Sequence, residues 1–588
     1  MARKINYDDW SKEELIKEIV NIRSTTYGLV WHRDLPEEKI DILINPDART
    51  PNEMFPNERA GKPFPILKEV KGKAIDSDES NLVNLLIEGD NYHSLAVLNF
   101  THQEAVDLIY IDPPYNTGNN DFVYNDKFIN LEDGFRHSMW LSFIEKRLKL
   151  AKNLLKSTGA IFISINDNEQ APLKMLCDEI FGDKNFVAMI TVQVNKGGRD
   201  YLPIAVTHEY LLCYFKSAQG SLNELSKKVD FNLRDSRGGY ELRELRNRNP
   251  KFTKANRPNL YYPIYVNAKS IDGNDQCLAS LKKSKGFNVE VYPLNSKGED
   301  SCWRWGQRLT EENIGQDTDI SNVVGKQRRD GGWNIYEKSR KSSSKAKSIW
   351  DETEVRTEQG TIDLREIGMA NTFDHPKPVY LIKKIVQLAT TKENSIILDF
   401  FAGSGTTGQA VLEQNKEDGG SRTFILCTNN GDQKSEHKIA SEVCYPRIKK
   451  VIGGYKSQKN TKIEGLGGNL KYYTTDFVRA EPTDTNRRKL VKESADMICI
   501  LENTFDLIEE ADEFKIFRNS NKYVGIVFYE EAIEDYKKAL KKIDGHFNTY
   551  VFSMGDDPQT KKFADVKDKV TLCAIPEVIL KVYREIFK

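Results

Sequence analysis

The eight cysteines of this 588-residue chain (Cys177, Cys213, Cys277, Cys302, Cys427, Cys444, Cys499 and Cys573) never form a CxxC pair. That scatter argues against a zinc site and against a disulfide framework, and it fits a reducing cytoplasm. No apolar run reaches the length of a membrane span, and Met1 to Trp10 has no apolar signal core, so a soluble, cytoplasmic protein is expected. Histidine is scarce. His137, His208 and His375 match no recognised ligand spacing, and no metal is expected. Gly61-Lys62 and Gly325-Lys326 lack the preceding glycine and the following Ser or Thr of a Walker A loop, so ATP-driven work is expected of a partner. Excess charge is missing too. Lys plus Arg number 86 against 87 Asp plus Glu, so any nucleic-acid-binding face must be local.

What is present is a chain long enough for several domains. Hydrophobic residues at 39% suffice for real cores. Residues 1–75 read as a helical lead-in and linker: Ser11 and Glu14 form a capping box ahead of Leu15, Ile16 and Ile19, and Pro51, Pro56, Pro63 and Pro65 interrupt regular structure. Residues 76–215 alternate strands and helices: Val106–Ile111, a helix over 140–155, and strands over 160–165 and 209–215. The rhythm is lost over 216–370, which is rich in Arg, Lys, Asn and Gly with aromatics between. It resumes over 371–470, with a helix at 378–389 and strands at 395–399 and 423–427. Residues 471–588 carry their own strands, near 523–528, 549–552 and 570–574.

Asp112-Pro113-Pro114-Tyr115-Asn116 follows a buried strand. In open α/β sheets ligands bind at that carboxyl end. An exocyclic aryl amine is a poor nucleophile because its lone pair is delocalised into the ring. A carboxylate and a fixed carbonyl can accept its two N–H bonds and favour a pyramidal nitrogen. Asp112 supplies the first and the Pro113 C=O the second, with consecutive prolines fixing the backbone. Tyr115 offers a face on which a base can stack. The same residues would also make an ordinary strand-terminating turn.

Asp399-Phe400-Phe401-Ala402-Gly403-Ser404-Gly405-Thr406-Thr407-Gly408 follows the strand ending at Leu398. Its glycines permit close backbone approach to a ligand. Gly403 to Gly408 matches a dinucleotide pattern literally, yet the next strand ends in Thr428-Asn429-Asn430, without the acidic residue a nicotinamide site expects. An acidic residue before the loop, Asp399, suits a ligand carrying an ammonium group.

Together the two motifs resemble the amino-group DNA methyltransferases, in the β arrangement where the catalytic motif precedes the cofactor loop. Glu88-Gly89-Asp90-Asn91, His208-Glu209-Tyr210 and Phe373-Asp374-His375-Pro376-Lys377-Pro378 resemble further elements of that family. The resemblance implies a Rossmann-like α/β fold with a mixed, mostly parallel seven-stranded sheet. It also implies an inserted target-recognition domain at 216–370 and a small C-terminal α/β domain. It implies catalytic residues Asp112, Pro113, Pro114 and Tyr115. S-adenosylmethionine would be held by Asp90, Asn91, Lys377, Pro378, Asp399, Phe401, Gly403, Ser404, Gly405, Thr406 and Asn429. The reaction implied is methyl transfer to N6 of a flipped-out adenine in double-stranded DNA. Asp in the first motif position favours adenine over N4 of cytosine, and intact Asp112 and Tyr115 argue against a non-catalytic DNA-binding subunit. Pro446-Arg447-Ile448, Gly453-Gly454-Tyr455 and Gly467 to Tyr472, with the extra C-terminal segment, resemble the modification subunits of Type III restriction–modification systems more than a stand-alone adenine methyltransferase. A homodimer and a helicase–nuclease restriction subunit are the partners this implies, with 1–75 and 471–588 mediating assembly.

The insertion carries the local charge that the whole chain lacks. From Asp235 to Arg257 seven basic residues face three acidic ones, and from Lys326 to Lys347 eight face two. Arg243, Arg246, Arg248, Arg257, Arg328 and Arg329 are the expected DNA contacts, with Trp303, Trp305, Trp333, Tyr261 and Tyr262 near them.

Overall fold

Apart from Asp107, Val106–Ile111 is apolar on both faces, and a strand of that kind is stable only when covered on both sides. In the computed structural model it lies inside a ten-stranded sheet, with Leu108, Ile109 and Ile111 fully buried. The structure describes residues 64–77, 82–118, 122–124, 127–128, 134–198, 203–226, 230–431, 437–478, 483–519, 522–553 and 559–576, with 11–13, 15–16 and 31. Glu14, Ile19, Pro51, Pro56 and Pro63 lie outside them.

The strands of this sheet are β1 (Phe64–Glu69), β2 (Val83–Glu88), β3 (Val106–Ile111), β4 (Leu155–Ile165), β5 (Phe186–Gln193), β6 (His208–Phe215), β7 (Ile349–Trp350), β8 (Glu393–Asp399), β9 (Ser421–Thr428) and β10 (Asn469–Val478). Their order is β1-β10-β2-β9-β8-β3-β4-β6-β5-β7. The run from β10 to β4 is parallel throughout, β1 is antiparallel to β10, and β6 is antiparallel to both β4 and β5. The sheet is therefore mixed and mostly parallel, as expected, with three strands beyond the seven. Helices α1 (Asn91–Thr101), α2 (Arg136–Leu154), α3 (Gln170–Phe181), α4 (Thr357–Glu366), α5 (Val379–Ala389), α6 (Thr406–Asp418) and α7 (Tyr445–Gly453) accompany it. Leu95, Val97, Leu98, Trp140, Ile144 and Leu148 are fully or almost fully buried in its core. Each such side chain contributes roughly 1.5–3 kcal/mol relative to exposure.

Three boundaries differ from expectation. The lead-in does not stop at 75, because Phe64–Glu69 pairs with β10. Pro65 sits inside that strand rather than breaking it. β1 is the edge of the sheet, where a residue without an N–H can be accommodated. The insertion is also shorter than 216–370. The chain forms two compact units, Met1–Asn223 with Lys347–Lys588, and Glu224–Ala346. Residues 347–370 belong to the first because Ile349–Trp350 pairs in parallel with β5 and buries Trp350. The Glu224–Ala346 unit is an antiparallel seven-stranded sheet around Leu245, Tyr262, Ile264, Val266, Trp303, Val323 and Ile335.

The third boundary is at 470. β10 runs through it, and α8 (Asp484–Glu502) buries Leu490, Ile498 and Ile500 in the same core as β2 and β3. A five-stranded sheet follows, with strands 506–510, 514–519, 522–527, 547–551 and 570–573 in that order. One set of its side chains, Ile516, Phe547 and Val551, packs on α9 (Ile533–Lys541) around Tyr536 and Leu540. Another set, Phe517, Val524, Ile526 and Tyr550, joins the main core with α8. The segment is a folded layer continuous with the core of the ten-stranded sheet. Among the described residues no helix is long and apolar enough to cross a membrane, and no group of His, Cys, Asp and Glu could hold a metal.

Candidate active site

β3 and β8 are adjacent and parallel, with Ile397 opposite Leu108 and Leu398 opposite Ile109. Their carboxyl ends therefore lie side by side and bring Asp112 and Asp399 together. The Asp112-Pro113-Pro114-Tyr115 turn is clamped from two directions. Trp140 of α2 donates its indole N–H to the Pro114 carbonyl at 2.7 Å. Asn116 is fully buried with a left-handed φ of 54°, and donates to Glu169 Oε1 at 2.6 Å. His137 Nδ1 lies 2.6 Å from that same oxygen.

Around Asp112 the structure assembles a four-residue cluster. Tyr115 Oη lies 2.9 Å from Asp112 Oδ1 and 3.0 Å from Glu209 Oε2. The Lys377 ammonium donates to Tyr115 Oη at 2.7 Å and Glu209 Oε2 at 2.6 Å, and lies 3.3 Å from Asp112 Oδ1. Among the described residues nothing bonds Asp112 Oδ2 or the Pro113 carbonyl, the two acceptors the sequence points to. Burial pushes the Asp112 carboxyl up, Lys377 opposes this, and Glu209 adds to it. Burial also disfavours the Lys377 charge, but Asp112 and Glu209 outweigh it and hold the ammonium protonated.

Glu209 reaches this cluster because β6 runs antiparallel to β4, pairing Tyr210 with Ile165, so β6 begins where β4 ends. In the sequence Glu209 stands out only as part of the family-like His208-Glu209-Tyr210 element, with no site role attached. The available signal was a carboxylate opening an otherwise apolar strand. Lys377, expected among the cofactor contacts, stands instead with Asp112 and Tyr115. It comes from the segment between α4 and α5, where Pro378 caps α5 and Asp363 accepts from Val379 N at 2.9 Å.

The glycine loop forms the other half. Asp399 is 3% exposed and accepts from Phe401 N at 3.0 Å and from Thr407 Oγ1. No Lys or Arg pairs with it among the described residues, and burial pushes its carboxyl up to about 7. Gly403 and Gly405 have φ of 48° and 81°, and Gly405 opens α6. A Cβ at Gly403 would meet the Phe373 ring at 2.9 Å, and one at Gly405 would meet Cys444 Sγ at 2.9 Å. Ser404 and Thr406 are buried and take Arg447 Nη1 at 2.9 and 2.8 Å, while Arg447 Nε donates to Gln409. Phe401 packs at the core edge, 6.0 Å from the Phe143 ring.

Asp90 caps α1 through Tyr92 N at 2.7 Å, and Asn91 Nδ2 holds the Phe400 carbonyl at 2.8 Å. Arg147, fully buried, donates to Asn91 Oδ1 at 2.6 Å and reaches Asp90 at 3.3 Å. It sits on the apolar stripe Ile144, Leu148, Ala151, and that position within the helical period was the available sign of its role. Asn429 is exposed and its Oδ1 accepts from Gly431 N, with no contact to the glycine loop among the described residues. Its neighbour Asn430 bonds Glu88 at the end of β2.

Residues 106–442 match the family described as DNA methylase. The chain belongs to that family. A Type III restriction-modification enzyme Mod subunit, EcoPI of Escherichia phage P1, is 34% identical over 473 residues, 72% of this chain and 71% of that protein. The Type II methyltransferase M.KpnI of Klebsiella pneumoniae is 34% identical over 391 residues, 64% of this chain and 89% of that protein. The StyLTI Mod subunit of Salmonella typhimurium is 32% identical over 431 residues, 68% of this chain and 61% of that protein.

The methylase takes its methyl group from S-adenosylmethionine, and the residues present fit that molecule. Asp399 is a buried carboxylate lacking a cation, and the cofactor's ammonium is one. The left-handed turns at Gly403 and Gly405, φ 48° and 81°, give the loop a backbone that side chains do not cover, which suits the close approach of such a molecule.

Within the Glu224–Ala346 unit, Arg248 is exposed and shares Glu244 with the less exposed Arg246, at 3.0 and 2.9 Å. Arg243 is exposed near Glu337 at 3.8 Å, Arg257 lies over the Phe252 ring, and Arg328 pairs with Asp330 in a turn that also carries exposed Arg329. Two of the aromatics near them are not surface groups. Trp303 and Tyr262 are 1% and 4% exposed, and Trp303 donates to the Tyr262 carbonyl. They build the unit's core, because an indole N–H is readily buried once a carbonyl accepts it.

Proposed function

We propose that this chain methylates N6 of adenine in double-stranded DNA as the modification subunit of a Type III restriction–modification system. The observation that carries the reading is the pairing of Asp112 and Asp399 at the carboxyl ends of adjacent parallel strands. One is placed beside an acceptor pair for an amine, the other beside a bare glycine loop. In this reading Asp112 Oδ2 and the Pro113 carbonyl accept the two N–H bonds of the target amine and turn its lone pair toward the methyl group. Tyr115 stacks on the extruded base, whose flipping costs a few kcal/mol. Asp399 holds the cofactor's ammonium and the Gly403–Thr406 backbone lies along its methionine end. Asp90, Asn91 and Arg147 fix the wall between the two halves. S-adenosylmethionine supplies a methyl already activated by its sulfonium charge.

The support for adenine and for the Type III class is the set of Mod relatives and the Asp in the first motif position. The basic residues of Glu224–Ala346 support a role for that unit in DNA recognition. The naming of these relatives as subunits of restriction-modification enzymes supports assembly with a restriction subunit; a second copy and a cytoplasmic location rest on the resemblance read from the sequence alone. Methylome sequencing of DNA treated with the purified protein tests the reading, with Asp112→Ala as control. N6-methyladenine at one sequence motif is expected. Methylation of another base, or none by the wild type, overturns it.

A further inference from the structure

Three oxygens from two separate parts of the chain surround the Lys377 ammonium: Tyr115 Oη at 2.7 Å, Glu209 Oε2 at 2.6 Å and Asp112 Oδ1 at 3.3 Å. An ammonium has three N–H donors; two are hydrogen-bonded here and the third side of the charge faces Asp112. The side chain is 12% exposed, so the contact is not a loose surface pair. It arrives from the far side of the recognition insertion in sequence, whereas Asp112 and Tyr115 belong to the first half.

We propose that Lys377 and Glu209 are positioning residues for methyl transfer, a pair that sets the charge of Asp112 and the pose of Tyr115. The proposal rests on the reading of Asp112 as the amine acceptor. Tyr115 has one hydroxyl proton and two carboxylate neighbours, Asp112 at 2.9 Å and Glu209 at 3.0 Å. Lys377 donates to one lone pair of the phenol oxygen, and the phenol proton is left to the two carboxylates. The ring is thereby fixed by its far end while its face stays available to a base. Asp112 has Oδ1 held on this cluster and Oδ2 left open. Lys377 is not placed as a cofactor contact, because two of its donors are taken by Tyr115 and Glu209 and its charge lies against Asp112.

The cluster makes opposite predictions for its two charges. The reaction needs Asp112 ionised. Lys377 favours that form. Glu209 disfavours it. Tyr110 and Tyr115, the other titratable groups facing Asp112 within the cluster, stay protonated, and Asp399 lies beyond it. Removing the ammonium raises the Asp112 pKa, so activity is lost at a higher pH. Removing the Glu209 charge lowers it, so activity persists to a lower pH.

The test is the pH dependence of kcat at saturating S-adenosylmethionine and DNA, which takes Asp399 out of the profile, with cofactor affinity measured separately by calorimetry. Lys377→Met should lower kcat on the order of 10²-fold, as loss of an oriented electrostatic contact does, and move the acidic limb up by about one unit or more. Glu209→Gln, nearly isosteric, should move the limb down. Lys377→Arg, which keeps the charge, should leave the limb near that of the wild type. Cofactor affinity should stay within about twofold for all three, in keeping with a contact absent from the cofactor side. Limbs that coincide with the wild type, or that shift in the same direction for Lys377→Met and Glu209→Gln, overturn the proposal. So does a Lys377→Met protein with normal kcat and weakened cofactor binding. A wild-type protein that methylates no DNA would instead overturn the functional reading itself.

Discussion

Gly360 lies in the middle of α4, where glycine is unfavourable by about 1 kcal/mol relative to alanine. On propensity alone, Gly360→Ala should stabilise the protein. The packing says otherwise. A Cβ there would stand 1.9 Å from the Pro376 carbonyl oxygen and 2.9 Å from the Lys377 carbonyl carbon, both backbone atoms that cannot rotate away. To reach even 3.0 Å, the Pro376–Lys377 peptide must retreat by at least 1.1 Å. Overpacking of that kind destabilises by about 1–3 kcal/mol, which offsets the gain in propensity and leaves stability unchanged or reduced by up to about 2 kcal/mol. The larger effect falls on the site. Lys377 is carried by the displaced peptide and its reach to Asp112 is already 3.3 Å. Misplacement of a catalytic cluster by about 1 Å can lower the rate on the order of 10²-fold. The assay is kcat from methyl incorporation into DNA, with a thermal melt and cofactor calorimetry on the same sample. A Gly360→Ala protein that melts like the wild type and keeps its kcat within a few-fold would refute the claim that this close approach sets the position of Lys377.

Four further outcomes follow from the geometry. Asp112→Ala should lose on the order of 10²–10³ in rate or more while still binding S-adenosylmethionine, as seen by calorimetry; near-normal turnover would remove Asp112 from its role. Gly403→Val should abolish cofactor binding in a folded protein, because φ is 48° and a Cβ meets the Phe373 ring at 2.9 Å, and unchanged affinity by calorimetry would contradict this. Cofactor affinity should weaken as pH falls below about 7, since the buried Asp399, raised to about 7, must be ionised to hold an ammonium. Calorimetry at pH 6 in two buffers of different ionisation enthalpy should show proton release on binding, and none would refute it. A chain ending at Tyr473 should be insoluble or melt much lower, because it cuts β10 and removes α8 from the shared core; an unchanged melt would show that the C-terminal layer is dispensable.

The motifs and the elements that present them were legible in the sequence because each rests on a local rule. Val106–Ile111 is an apolar run broken only by Asp107, and Gly403 and Gly405 are glycines where the backbone turns left-handed. The resemblance of the two motifs then supplied the architecture. What escaped reading is non-local. Pro65 reads as a breaker until one knows it lies on a sheet edge, and Phe64–Glu69 has no reason to be a strand without β10 beside it. Lys377 and Glu209 meet only because β6 is antiparallel and α5 begins near the end of β3, a fact of topology that no spacing encodes. Trp303 and Tyr262 look like stacking groups by composition and are core by contact. The boundary at 470 failed for the same reason: Tyr472 and Tyr473 lie beyond it yet are buried inside β10, paired with β2.

The central claim is that Asp112 and Asp399, brought together at the ends of β3 and β8, direct an activated methyl group onto the amine of adenine. Incubation of unmodified DNA with the protein and isotope-labelled S-adenosylmethionine, then digestion to nucleosides and mass spectrometry, tests it most directly. Label is expected in N6-methyldeoxyadenosine alone, and is expected to be lost with Asp112→Ala. Label in N4-methyldeoxycytidine, or undiminished label with the Asp112 variant, would contradict it.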